Sequence, residues 1–212
     1  MGDEMNIIEL HFKLAELGLV YGTSGNASIL DRVINYLRIK ESGSRCDHPK
    51  TMQVGFGVNS DMLYFGEPST DLPLHLAVYE SNPEINCVIH THSVHAATYS
   101  ILGMELDTYV TGTAELFGYG VPCVAGGTNR DAIIPNLRLL AAPARGIRAC
   151  LMERHGVLAW GKTSEEALHV AEAVEWSAQI TLLVNGPPRK APMSGDDIIR
   201  YQLWYNENYG QK

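Results

Sequence analysis

The stretch Cys87-Val88-Ile89-His90-Thr91-His92 constrains this chain more than any other, because an apolar run delivers two histidines one residue apart. In a β-strand, side chains at i and i+2 leave the same face, so both imidazoles would point one way. Neutral imidazoles on a rigid element are how proteins present nitrogen to a divalent transition metal. A further histidine, His155 in Leu151-Met152-Glu153-Arg154-His155-Gly156, follows a second apolar run. Three histidines with a carboxylate or an open position describe a catalytic metal site, with zinc the default occupant. The competing reading makes His90 a hydrogen-bonded core residue and His92 a solvated one.

The composition suits such a site within one folded unit. At 212 residues, 45% hydrophobic and 19% charged, the chain is long enough for a single α/β domain over 1–212 with a real core. A formal charge of -8 argues against a nucleic-acid-binding surface, which needs clustered Lys and Arg. It does not argue against a small anionic substrate, which a few local donors decide. No apolar run reaches the length of a membrane span, and Met1-Gly2-Asp3-Glu4 lacks the basic and apolar regions of a signal peptide. Cys46, Cys87, Cys123 and Cys150 form no Cys-x-x-Cys pair, and are expected as reduced thiols of a cytoplasmic protein.

Helix and strand patterns alternate without a linker-like break. Apolar spacing predicts helices over 7–19, 71–81, 94–102, 132–140, 164–183 and 196–205. The helix over 132–140 is expected despite Pro135, and Thr163-Ser164 with Glu165-Glu166 reads as the start of the long one. Strands are expected over 27–30, 34–39, 85–89, 121–125, 148–152 and 157–160, and a loop over 43–57. Several short strands among helices point to a mixed, mostly antiparallel central sheet flanked by helices.

Three segments offer groups for an anion. Gly22-Thr23-Ser24-Gly25-Asn26-Ala27-Ser28 is a small-residue turn whose N–H groups can approach a ligand closely. Ile39-Lys40-Glu41-Ser42-Gly43 brings an ammonium, a hydroxyl and a flexible amide. Ser69 and Thr70 supply hydroxyls where the following helix leaves its first N–H groups unpaired. Each has a plainer reading as a turn or an N-cap, and none has P-loop or dinucleotide-fingerprint spacing.

These segments, with Pro68-Ser69-Thr70-Asp71, His90-Thr91-His92-Ser93-Val94-His95, His155-Gly156 and Trp160-Gly161-Lys162, occur in an order that resembles the class II aldolase/adducin family. The resemblance runs from about Leu17 to Gln211. It implies that His90, His92 and His155 bind one zinc or similar divalent ion per subunit, with Asp71 touching the metal or acting as acid/base beside it. Gly25, Asn26, Lys40, Ser42, Gly43, Ser69 and Thr70 would hold the phosphate and nearby hydroxyls of a small phosphorylated sugar. Tyr209 would serve the catalytic site of a neighbouring subunit in a homotetramer; without the family pattern it reads as part of a packed or frayed terminus.

The reaction implied is retro-aldol and aldol chemistry on a phosphorylated ketose. Asp71, rather than glutamate, and Glu115, at a position where the 4-epimerase pattern carries an aspartate, tilt toward the L-ribulose-5-phosphate 4-epimerase type. The short segment between Val124 and Arg148 tilts toward a fuculose-1-phosphate aldolase type. Dehydration, decarboxylation or a non-catalytic adducin-like role are further alternatives. Glu41 stands where proline is usual, the stretch over 43–57 matches the pattern poorly, and Glu115 reads equally well as a surface carboxylate. His75 is expected to pack, and His95 to support the site from behind; neither is expected as a ligand.

Overall fold

Apolar side chains alternate between two faces along the central strands, and helices cover both faces. A computed structural model describes residues 5–56, 62–64, 67–183 and 193–208. The strands are β1 (Asn26–Asp31), β2 (Tyr36–Lys40), β3 (Thr51–Phe56), β4 (Met62–Tyr64), β5 (Cys87–Thr91), β6 (Leu106–Asp107), β7 (Gly120–Val121), β8 (Cys123–Val124), β9 (Ala149–Met152) and β10 (Gly156–Gly161). The helices are α1 (Ile7–Glu16), α2 (Leu72–Ser81), α3 (Val94–Ser100), α4 (Thr111–Phe117), α5 (Arg130–Ala141), α6 (Ser164–Leu183) and α7 (Gly195–Asn208).

Eight strands make one sheet in the order β4-β3-β2-β1-β5-β10-β9-β8. Within it only β8 and β9 pair in parallel. Alternation sorts the side chains of β5. Cys87 and Ile89 join one core with α1, α3 and α6, whereas Val88 joins the other with α2 and α5. By the period of two, His90 leaves on the α2/α5 face. The register sets Asn26 of β1 and Leu158 of β10 beside His90. The mixed, mostly antiparallel sheet between helices is the expected architecture.

Several local expectations are corrected. The loop over 43–57 contains β3, paired with β2 from Tyr36↔Gly55 to Lys40↔Thr51. Gly55 and Gly57 read as loop punctuation, but pairing with a neighbour decides a strand more than its own propensity. The strand over 121–125 is two short pieces separated at Pro122, which has no N–H for a ladder. Helix α4 is absent from the expectations because Thr111-Gly112-Thr113 are weak helix formers. Helix α1 ends at Glu16, before the expected position 19. At the start of α6 the expected cap forms: Thr163 Oγ1 accepts from the Glu166 N–H at 3.1 Å.

Candidate metal centre and substrate pocket

His90 is fully buried at the end of β5, and His92 follows one residue past the strand. The His155 ring arrives from the turn between β9 and β10. Ring centroids lie 4.6 Å apart for His90 and His92, 4.8 Å for His90 and His155, and 5.0 Å for His92 and His155. One nitrogen from each ring falls within 4.8 Å of the other two. Rings contributed by positions up to 65 residues apart in sequence thus converge on one point.

The surrounding bonds prepare those nitrogens. His90 Nδ1 lies 2.8 Å from the Val157 carbonyl oxygen, so Nδ1–H donates and Nε2 keeps its lone pair. His92 Nε2 stands 2.8 Å from that atom. His155 Nδ1 is buried with no hydrogen-bond partner among the described residues, an unusual cost for a polar atom. Burial pushes the His90 imidazole down to about 3, against the pull of Asp71, and lowers His92 as well. Neutral rings are the form a cation needs. The donor set therefore fits a divalent transition metal, with nitrogen ligands that suit zinc.

Two glycines permit the convergence. A Cβ on Gly156 would run into the Thr91 carbonyl oxygen, so only glycine lets β10 approach β5 this closely beside His155. Gly25, at φ +74°, would place a Cβ 2.6 Å from Val20 Cγ1 and 2.9 Å from the His90 carbonyl oxygen.

Asp71 is the N-cap of α2, yet its side chain caps nothing. Its Oδ2 instead accepts from Asn26 Nδ2 at 2.7 Å and lies 4.0 Å from His90 Nε2. Burial alone would raise the Asp71 carboxyl; the His90 and His75 imidazoles, the Asn26 amide and His155 outweigh it and leave the group below its ordinary value. The positive end of α2 acts in the same direction.

A cavity of about 320 Å³ opens in front of this cluster. Asp71, His92 and His155 line one part of it, and Gly25, Asn26, Lys40, Ser42, Gly43, Ser69 and Thr70 are among the residues that line the remainder. The loop after β2 is held to the segment before α2 by Ser42 N–H to Glu67 O at 2.8 Å and Ser69 N–H to Lys40 O at 2.9 Å. Lys40 is almost wholly buried, and its ammonium donates to the Thr23 and Ser44 carbonyls, each at 2.7 Å. It clamps two loops together and keeps one proton for a ligand.

The structure does not bring every candidate to this cavity. Glu115, half-buried on α4, lines a separate hollow with Thr111, Arg200, Tyr201 and Trp204. Tyr209 lies outside the described residues. His75 is fully buried behind the site, its Nδ1 2.7 Å from Ser28 Oγ. His95 turns to α6, 2.7 Å from Glu175 Oε1, and that carboxylate also accepts the His95 and Ala96 N–H groups, holding the first turn of α3. Cys46, Cys87 and Cys150 are buried, and Cys123 is half-buried.

Sequence reasoning missed Thr128 and Arg130, which wall the cavity at the start of α5. Gly126-Gly127-Thr128-Asn129 before an apolar helix repeats the small-residue pattern of the Gly22 turn, and was the available signal. It also missed His11. That ring is fully buried on α1, with Nδ1–H donating to the Ile7 carbonyl at 2.6 Å and Nε2 accepting from the Ala27 N–H at 3.0 Å. It pins β1 next to Asn26.

Comparison with known proteins agrees with this geometry. The family model described as Class II Aldolase and Adducin N-terminal domain matches residues 5–182. A protein named L-ribulose-5-phosphate 4-epimerase UlaF from Salmonella paratyphi B is 30% identical over 232 residues, covering 99% of this chain and 98% of that protein. Among solved structures, YgbL from Escherichia coli, titled a putative aldolase/epimerase/decarboxylase, superposes with a TM-score of 0.79 at 23% identity, over 92% of this chain and 95% of that one. A structure titled L-fuculose 1-phosphate aldolase gives 0.80 at 24% identity, over 94% of each chain. Those two likenesses speak to the fold, and the family match to membership: the chain belongs to the class II aldolase and adducin family.

Proposed function

We propose that this protein is a divalent-metal-dependent enzyme of retro-aldol chemistry on a phosphorylated ketose, of the 4-epimerase type. The observation that carries the reading is one cavity lined both by histidines able to share a cation and by the hydroxyls, amides and ammonium expected for a phosphate. The relative named L-ribulose-5-phosphate 4-epimerase, alike over almost the full length of both chains, supports the reaction type.

In this reading Ser42, Gly43, Ser69 and Thr70, with Lys40 behind them, hold the phosphate away from the reacting bond. That remote grip provides binding energy and orientation. Held by His90, His92 and His155, a divalent ion such as zinc would supply Lewis-acid stabilisation of negative charge developing on the substrate's carbonyl oxygen. Asp71, kept ionised at the cavity wall, takes and returns the proton of a substrate hydroxyl as the neighbouring C–C bond breaks and re-forms. Asn26 fixes the carboxylate's orientation. For an epimerase the aldehyde fragment stays bound, turns, and is attacked on its other face.

Glu115 and Tyr209 belong to the proposal as residues given to a neighbouring subunit of a homotetramer. Glu115 lines a hollow between α4 and α7, the helix that precedes Tyr209 in the chain. Buried thiols favour a reducing compartment, and we take the cytoplasm as the location. Among the described residues no helix is long and apolar enough to cross a membrane.

The test is incubation of the metal-containing protein with L-ribulose 5-phosphate and with L-fuculose 1-phosphate, resolving epimers from cleavage products. Interconversion of the 4-epimers is the expected outcome. Release of dihydroxyacetone phosphate would overturn it in favour of the aldolase, the reaction favoured by the short segment between β8 and β9. No turnover together with no bound metal would leave a non-catalytic member of the family.

A further inference from the structure

The lysine in the cavity is largely committed to the protein's own carbonyls, which leaves open what balances the charge of a phosphate. Helices α2 and α5 supply an answer. Arg138 Nη2 donates to Glu80 Oε2 at 2.8 Å, and Asn82 Nδ2 donates to the Ala141 carbonyl at 3.2 Å. The C-terminal ends therefore lie together and the two helices run parallel. Arg130, Thr70 and Asp71 line the same cavity, so the positive ends of both helices open onto it.

Three further observations point to a ligand there. Asn129 makes no side-chain cap, so the start of α5 presents its first N–H groups without that competitor, whereas at α2 the Leu72 and Leu74 N–H groups are already bonded to the Ser69 and Asp71 carbonyls and Pro73 has none. Arg130 is exposed, lines the cavity and takes part in none of the ion pairs among the described residues. Asn26, 2% exposed and lining the same cavity, leaves its buried Oδ1 without a partner, an acceptor waiting for a hydroxyl.

Resting on the reading that the cavity takes a phosphorylated substrate, we propose that Arg130 is a specificity-determining residue that binds the substrate's phosphate from the α5 side. Its planar fork offers paired N–H donors to two phosphate oxygens, which an ammonium cannot match. Lys40 then shapes the loops of the grip, while Arg130 supplies the mobile charge that selects a phosphorylated sugar over a neutral one.

The experiment is calorimetric titration of inorganic phosphate into the metal-containing protein, for wild type, Arg130→Gln, Arg130→Lys and Arg138→Gln. Arg130→Gln should weaken phosphate binding about tenfold or more, and Arg130→Lys by less, as loss of one charge-assisted contact implies. Arg138→Gln, which removes an exposed charge from the far end of the same helix, should stay within about twofold. With the phosphorylated ketose, Arg130→Gln should raise KM by a similar factor and change kcat little. Unweakened binding in Arg130→Gln, or equal weakening in Arg138→Gln, would overturn the proposal, and a wild type that binds no phosphate would overturn it together with the substrate reading. Arg130-dependent phosphate binding without turnover of either sugar phosphate would uphold the anion site and remove the proposed reaction alone.

Discussion

Asn26 and Asp71, 45 residues apart in the chain, are joined by a 2.7 Å hydrogen bond from Nδ2 to Oδ2. The bond frees the N-cap carboxylate from its helix and turns it toward His90. Strand β1 and helix α2 meet there, so a loss of aim at Asp71 would be felt wherever the carboxylate moves protons. Asn26→Ala is expected to lower kcat/KM about 10- to 100-fold, the worth of a hydrogen bond to a charged group. Metal content should be retained. Turnover equal to wild type would remove Asn26 as the group that orients Asp71.

Metal dependence has its own readout. An ion bound only by the folded chain adds stability, about 2.7 kcal/mol when present at a hundred times its dissociation constant. Chelation is expected to lower the melting temperature and abolish turnover, and added zinc should restore both. His92→Ala should lose the zinc-dependent rise in melting temperature. A melting curve indifferent to chelator and to zinc would sink the metal centre.

Glu115→Ala separates the within-subunit and between-subunit contributions. Glu115 lines a hollow against α7, away from the histidine cluster. Its removal should therefore leave metal content intact, yet depress turnover about 10²-fold or more if it acts as an acid or base in a neighbour's site. Unchanged turnover would make Glu115 an ordinary partner of α7.

The close approach at Gly156 is a packing prediction. A methyl group there meets the Thr91 carbonyl, backbone that cannot swing aside as a side chain can. Gly156→Ala is expected to cost about 1–3 kcal/mol in urea unfolding, typical of overpacking, and to weaken metal binding through displacement of His155. Wild-type stability and metal content would show that β10 has room after all.

Much of this was legible in sequence because strand periodicity carries it. His90 and His92 share a face by alternation, and His155 stands beyond an apolar strand for the same reason. The loops proposed to hold the anion were visible as small-residue turns, but their meeting place was not. It depends on the β1–β5 register that sets Asn26 beside His90, and on the bridge between Glu41 and Pro68 that joins two distant loops. Strand β3 was hidden by Gly55 within it and Gly57 just after it in the sequence. Arg130 was hidden for a different reason: an isolated arginine at a helix start has no signature until another helix is laid alongside it.

His11 gives the molecule a predictable response to acid. Burial drives its imidazole down to about 4 from 6.5, outweighing the bond to the Ile7 carbonyl that favours the charged form. Burial lowers His75 in the same way. The folded state thus refuses a proton that the unfolded state accepts below pH 6.5, so stability is full above that value and falls as the pH drops toward 4. For His11 alone the loss between pH 7 and pH 5 is about 2 kcal/mol, at 1.36 kcal/mol for each unit of difference. His11→Gln has no such proton to refuse. Although less stable at pH 7 through its altered packing and hydrogen bonds, it should lose about 2 kcal/mol less than wild type on going to pH 5. Urea unfolding of both proteins at the two pH values measures this directly, and parallel losses would mean that His11 does not titrate against the fold.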